Sequence, residues 1–401
     1  MILEGLKEFQ RRGLDATLLL DDPIVNAEAL FFGAYKPNVR LLGKPVQPER
    51  PLWRKVLQRL WSPRYLLRAL SELKPDLLIA NGTPECMALV LESLLAFRRP
   101  PEFVCFIHGS PFQFLDDCTK YSLVLRRRFD MIRTGDPVYL ATIPVRPPRM
   151  GLRRRLALEI VELFKVLAVR RSQCIYVLSE KNKREIELLF GHRNVVVAQA
   201  GGFSFRDLAC ADEARTRTLA ETAPSLQILS LSRLVTKKRV DVIIRAFAMI
   251  VERNPSMPFV LCVGGRGDRE SALRDQIAQL KIQDRVRMLG FVAEDELPAL
   301  YRASRVFVSA DSADFDLTCI QALALGCNLV VSQQFEIPAG FSAVRRRVFV
   351  AEASESGIAA ALERACRAPC EPLIDNERSE LQALTWERYF GAILERSLAK
   401  V

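Results

Sequence analysis

Two hydrophobic periods alternate along the chain. Short apolar runs such as PDLLIAN (75–81), EFVCFIHGS (102–110), QCIYVLS (173–179) and NVVVAQ (194–199) predict buried strands. PECMALVLESLLAF (84–97) and EKNKREIELLF (180–190) repeat their apolar residues every three or four positions and predict helices. DATLLLDD (15–22) adds an early strand, after a helix closing at LKEFQRRG (6–13). The pattern stops at ACADEARTRTLAETAPS (209–225), which is polar and rich in small residues and reads as a linker. It restarts with strand LQILSLS (226–232), helix VDVIIRAFAMIVERN (240–254), strand PFVLCVGG (258–265) and helix RESALRDQIAQL (269–280). Strand RVRMLGF (285–291), helix DELPALYRA (295–303) and strand RVFVSA (305–310) follow. The helix of DFDLTCIQALALGCNLVVS (314–332) and its strand NLVVS complete the run.

Strands alternating with helices predict an α/β protein with parallel sheets. Two such runs predict two doubly wound, Rossmann-like domains, with a cleft between them at the carboxyl ends of the strands. The expected divisions are an N-terminal domain at 1–205, a linker at 206–224 and a second domain from 225. The chain opens directly in a helix, where a doubly wound domain ordinarily opens with a central strand. A first strand and its loop are therefore expected to be missing.

At 401 residues the chain exceeds what one ordinary core supports, in keeping with two domains. No apolar run of about 18 residues predicts a membrane span, and MILEGLKEFQRRG lacks the order of a signal peptide. The expected location is cytoplasmic, with peripheral attachment to the inner face of the plasma membrane left open. Ten cysteines fit buried thiols in a reducing compartment better than metal ligands, since none forms a Cys-x-x-Cys pair. Residues 1–200 carry 32 Lys and Arg against 21 Asp and Glu, and residues 201–401 carry 26 of each. The whole net charge of +11 thus lies in the first half. There RRR at 126–128 and 153–155, an amphipathic run at 152–171 and WRKVLQRLWSPRYLLRAL (53–70) offer a basic apolar face. Such a face suits an anionic membrane surface or is simply a helical surface packed on the sheet. No aromatic-interleaved basic motif recommends nucleic acid.

The chemistry-bearing residues concentrate after strands. Arg233 and Lys238 lie just before an apolar helix, where amides, helix dipole and cations together suit a diphosphate. A solvated basic loop is the plain alternative. VGGRGD (263–268) is a strand–glycine–helix turn that needs no ligand.

Taken in order, residues 228–332 resemble the donor domain of the retaining GT-B glycosyltransferases of family 4, the glycosyl transferases group 1. The family's G-R-L-x3-K-G-x-D-x-L-I-x-A-F corresponds to SRLVTKKRVDVIIRAF, its L-x-I-x-G-x-G to LCVGGRG, and its D-R-V-x-F-x-G-x-V to DRVRMLGFV. E-L-x-x-x-Y-x-x-A-D-V-F-V corresponds to ELPALYRASRVFV. TWERYFGAILERSL (385–398) resembles the family's last helix, so 225–376 would be the donor domain and 377–401 a segment returning to the N-terminal domain.

The resemblance implies that Arg233 and Lys238 hold the donor diphosphate, that Phe291 and Val292 lie near the base, and that His108 reaches the transferred sugar. A capping or core role is the alternative for His108, and His192 reads as a surface residue. Aligned on Phe315, the family's paired glutamates fall at Ala313 and Gln321, so the motif is degenerate. Gln321 would keep one acceptor for the ribose, with Phe315, Leu317 and Thr318 also at the donor. Asp311, Asp314 and Asp316 surround the gap, and Asp316 is the expected replacement carboxylate, or else a helix N-cap. Arg239 stands where the family prefers glycine.

The implied function is transfer of a sugar, with retention and without metal or other cofactor, from a UDP- or GDP-linked donor. The implied acceptor is a glycan or lipid-linked glycan, as in bacterial envelope polysaccharide or lipopolysaccharide synthesis. The alternative is a catalytically silent GT-B protein that binds a nucleotide sugar or a partner glycosyltransferase.

Overall fold

The computed structural model describes residues 2–20, 38–41, 63–81, 90, 97, 101–107, 151–199, 201–204, 226–311, 315–338, 340–352 and 354–398. It divides into two compact units, Met1–Gln199 with Phe390–Val401, and Ala200–Tyr389.

In the first unit, α1 (Ile2–Arg11) precedes β1 (Thr17–Leu20), which pairs in parallel with β2 (Asn38–Leu41). α2 (Pro63–Leu73) leads into β3 (Leu77–Asn81), and β4 (Glu102–Ile107) follows. After α3 (Leu152–Arg171) come β5 (Cys174–Val177), α4 (Glu180–Phe190) and β6 (Val195–Val197). Strands β3 to β6 form one parallel sheet in sequence order. Its strands are nearly continuous apolar runs because helices cover parallel sheets on both faces. Leu70, Cys105, Val169, Ile175 and Ile186 form the core between sheet and helices.

Local chemistry sets the bounds of α4. The Ser179 hydroxyl accepts from the Asn182 amide at 3.0 Å, and Gly191 ends the helix at φ 66°. Two expectations change here. His192 is buried rather than superficial. Its Nδ1 accepts from the Asn194 amide at 3.2 Å, so Nε2 carries the hydrogen and donates to the Ser172 carbonyl at 2.8 Å. The run at 152–171 is one helix, but it is apolar on two faces, since Val166, Ala168 and Val169 are buried while Leu156, Leu163 and Leu167 are exposed.

The last helix, α11 (Trp386–Leu398), has its residues from Phe390 in this unit. The Phe9 and Phe390 rings meet edge to face at 5.8 Å. The Tyr176 hydroxyl lies 3.4 Å from the Ile393 carbonyl and 3.2 Å from Ser397 Oγ.

In the second unit, β7 (Leu226–Leu231), α5 (Val240–Arg253), β8 (Phe259–Gly264), α6 (Glu270–Gln279) and β9 (Val286–Gly290) come first. Next are α7 (Leu297–Ala303), β10 (Val306–Ser309), α8 (Leu317–Ala324), β11 (Asn328–Ser332), β12 (Val348–Ala351) and α9 (Glu355–Arg367). The six parallel strands are ordered β12-β11-β10-β7-β8-β9. The chain starts in the middle, winds one way to β9, then returns to β10 on the other side. That reversal creates a switch point between β7 and β10, where loops leave the carboxyl ends in opposite directions.

A buried ionic clasp holds α10 (Asp375–Gln382). Glu377 accepts from Arg346 and Arg347, both at 2.8 Å. Glu380 accepts the amides of Ser342, Ala343 and Val344 at 2.8–2.9 Å. Burial acts to raise both carboxyl groups, but these hydrogen bonds outweigh it and hold them below the ordinary carboxylate range. Their stabilisation is therefore complete above the unfolded value of about 4.3 and is lost as pH falls through the lowered folded values. We expect the melting temperature to fall as pH drops below about 4.3, and to fall less steeply in Glu380→Gln; equal slopes would show that this clasp does not report acid.

Candidate functional site

The site is built on the switch point. After β7, residues 232–235 form a loop, a 3-10 turn spans Thr236–Lys238, and Arg239 caps α5 at φ 52°. That left-handed backbone favours glycine, which explains the family's preference there; arginine bears the strain in this chain. The glycine turn after β8 has a definite role in this arrangement. A Cβ on Gly265 would lie 1.8 Å from the Ser232 carbonyl oxygen, and one on Gly267 2.2 Å from that of Leu234. The two loops are stitched by Leu234 N to Arg266 O at 2.9 Å and Arg269 N to Leu234 O at 3.0 Å. Only glycine permits this approach, and it fixes the loop that carries Arg233 and Lys238. Arg233 itself is exposed.

The loop after β10 comes to meet it. Lys238 Nζ donates to Asp311 Oδ2 at 2.6 Å and to Asp316 Oδ2 at 3.2 Å. Asp311 is 4 % exposed, and its other carboxylate oxygen has no hydrogen-bond partner among the described residues. The Asp311 backbone is fixed by Ser332, whose hydroxyl donates to its carbonyl at 2.7 Å. Burial acts to lower the Lys238 pKa, but attraction to Asp316 and Asp311 outweighs it and leaves the ammonium above its ordinary value. Lys238 is thus a charged, half-buried group already neutralised by carboxylates, not a free cation.

Asp316 has two jobs. Its Oδ1 caps α8, accepting from Thr318 N at 3.0 Å and Thr318 Oγ1 at 2.7 Å, while Oδ2 serves Lys238. Both oxygens are engaged, one in the capping geometry and one on the Lys238 ammonium. Phe315 is buried behind the cap, and Leu317 and Thr318 are half-buried.

Gln321, one turn further on, is also engaged. Its Nε2 donates to the Gly202 carbonyl at 2.8 Å, and its Oε1 accepts a long hydrogen bond from Tyr301 at 3.4 Å. The residues beside Gly202 are tied in turn to the end of α10 and the start of α11: Gly201 N donates to Leu384 O at 2.6 Å and Trp386 N to Phe203 O at 3.0 Å. This strut is absent from the sequence reading, and no spacing in the sequence signals it.

Phe291 is 69 % exposed, with the Arg266 guanidinium 6.0 Å from its ring centroid, and Val292 is half-buried against Gly264. His108, Ala313 and Asp314 lie outside the described residues. The structure therefore brings Lys238 and Asp316 together, adds Asp311, and leaves Arg233 and Phe291 presented to solvent.

Residues 214–379 match the family described as Glycosyl transferases group 1. Mannosylfructose-phosphate synthase of Agrobacterium fabrum is 36% identical over 112 residues, 26% of this chain and 25% of that protein. O-antigen chain mannosyltransferase B of Escherichia coli is 25% identical over 178 residues, 42% of this chain and 45% of that protein. The chain thus spans between a quarter and a half of these curated relatives. Among solved structures, HepE of Anabaena in complex with UDP superposes with a TM-score of 0.66 at 14% identity, covering 100% of this chain and 95% of that one. Sucrose-phosphate synthase of Thermosynechococcus elongatus gives 0.69 at 14% identity, with 100% and 93% covered. These likenesses give the fold class: α/β, of the GT-B type.

Proposed function

We propose that this protein is a glycosyltransferase that moves a sugar from a nucleoside-diphosphate donor to a glycan or lipid-linked acceptor, with retention of configuration, in bacterial envelope polysaccharide synthesis. The observation that carries the reading is the meeting of the β7 and β10 loops at Lys238. It lies outside the carboxyl ends of the strands at the switch point, where open α/β sheets bind ligands. It also falls within the segment that matches the glycosyltransferase family.

In this reading Arg233, joined by the Lys238 ammonium as it turns from its longer contact with Asp316, neutralises the leaving diphosphate, so charge stabilisation and positioning supply most of the catalysis, without a metal ion. Asp311 and Asp316 orient the Lys238 ammonium, and α8 presents its first turn to the donor. Phe291 stacks beneath the base, next to Val292, and His108 contributes from the N-terminal domain. Work at a cytoplasmic membrane face fits a lipid-linked acceptor.

Calorimetric titration with UDP and GDP tests the donor site directly. Phe291→Ala is expected to weaken the preferred nucleotide by roughly 1 kcal/mol, within the range for an aromatic contact, with melting temperature unchanged because the ring is exposed. Release of nucleoside diphosphate from UDP- and GDP-sugars, with the anomer read by NMR, tests transfer and retention. If neither nucleotide binds, the donor reading fails.

The silent GT-B reading is favoured by one specific feature: Lys238, Asp316 and Gln321 all satisfy one another or the backbone. Nucleotide binding without turnover of any donor would select it.

A further inference from the structure

The geometry of α3 points to a second functional surface, independent of the donor site: we propose that its exposed stripe docks on an anionic membrane. Leu152, Leu156, Ile160, Leu163 and Leu167 are all exposed. At 100° per residue they fall within about 80° of one another, on a helix of 20 residues, or about 30 Å. The other side of the helix is already used, because Val166, Ala168 and Val169 are buried in the core of the first unit. A surface helix facing only water has no reason to carry five large apolar residues in line, and contiguous exposed apolar patches mark interaction sites.

Charge decides the occupant. Residues 152–171 contain five arginines and one lysine against two glutamates. Arg153, Arg155 and Arg171 are exposed, and no hydrogen bond or ion pair holds their side chains among the described residues. Arg170 is tied to the Phe190 carbonyl at the end of α4, at 2.8 Å. An apolar stripe bordered by arginines matches the boundary between acyl chains and acidic headgroups, with leucines sunk and guanidinium groups on phosphate. A second copy of the same stripe would instead bring arginine borders together, which repel. The unit that carries α3 also lies in the half holding the entire +11 excess.

Co-sedimentation with vesicles tests this, using the full chain, phosphatidylcholine alone, and phosphatidylcholine with about 30 mol% phosphatidylserine. The wild type is expected to pellet with the anionic vesicles at about 50 mM salt and largely to remain in solution at about 500 mM. Leu156→Ser/Leu163→Ser should lower the partition coefficient at least tenfold. Arg153→Gln/Arg155→Gln should lower it about tenfold on anionic vesicles only. Both double variants should keep the wild-type melting temperature and the wild-type affinity for nucleotide. Failure of the wild type to bind at low salt overturns the proposal. So does a large drop in melting temperature for the leucine variant, which would mean that another part of the chain covers the stripe. A wild-type dimer that the leucine variant dissociates, with unchanged vesicle binding, assigns the stripe to a second copy instead.

Discussion

Lys238→Ala is expected to destabilise the protein by about 2–3 kcal/mol and to weaken nucleoside-diphosphate binding by tenfold or more. The first effect follows from Asp311. That carboxylate is 4 % exposed, one oxygen has no hydrogen-bond partner among the described residues, and the other is held by Lys238 at 2.6 Å. Removing the ammonium leaves a buried charge without its counter-ion. The usual cost of breaking a buried pair is about 3–5 kcal/mol; it is reduced here because Lys238 keeps 20% of its side-chain surface in water. The second effect follows if the same ammonium turns to a diphosphate. Because stability and binding fall together, the single variant cannot separate them, but Lys238→Ala/Asp311→Asn can. Asparagine removes the orphaned charge and should recover most of the melting temperature. Nucleotide affinity should stay low, since no cation returns. If the double variant regains wild-type affinity, Lys238 holds the two aspartates and takes no part in binding nucleotide.

The difference between what the chain's pattern revealed and what it hid has physical causes. Strands β3 to β11 were legible because parallel strands are mostly buried on both faces and read as apolar runs; β12 was missed, a short edge strand whose Val350 is 43% exposed. β2 was hidden because NVRL is short and carries a charge. Lys238 and Asp316 were legible from their places beside helix starts. Their partnership was not, since 78 residues separate them and only the order of the sheet brings β7 next to β10. Glycines 265 and 267 read as an ordinary turn, yet their need arises from a second backbone passing within van der Waals range. His192 was misread because a polar residue in a loop suggests solvent; the carbonyl of Ser172 and the amide of Asn194 satisfy both ring nitrogens and let it be buried. The helix α3 read as one-sided because periodicity reports apolar positions without saying which side meets the sheet.

Gln321→Glu is expected to destabilise the protein rather than restore a lost half of the family's glutamate pair. Glutamine serves here because it has a donor as well as an acceptor. Its Nε2 donates to the Gly202 carbonyl at 2.8 Å, and Gly202 sits at φ 74°, where a Cβ would come 2.8 Å from that same nitrogen. A carboxylate at this position would set oxygen against the carbonyl oxygen of Gly202. Losing the hydrogen bond and adding repulsion costs about 1–3 kcal/mol. The sign of the pH dependence follows. Protonated glutamic acid can donate to Gly202, so the folded state raises its pKa, and the penalty is small below the unfolded value of about 4.3 and grows as pH rises above it. Melting temperatures of Gln321→Glu and wild type should therefore converge towards about pH 4 and separate at pH 7. Gln321→Met, which loses the hydrogen bond without gaining a charge, should show no such convergence. Turnover of UDP- and GDP-sugars should not rise in Gln321→Glu, alone or with Ala313→Glu. A Gln321→Glu protein as stable as the wild type at pH 7 and with increased donor turnover would mean that the glutamine replaces a donor-binding glutamate, and that the contact with Gly202 is dispensable.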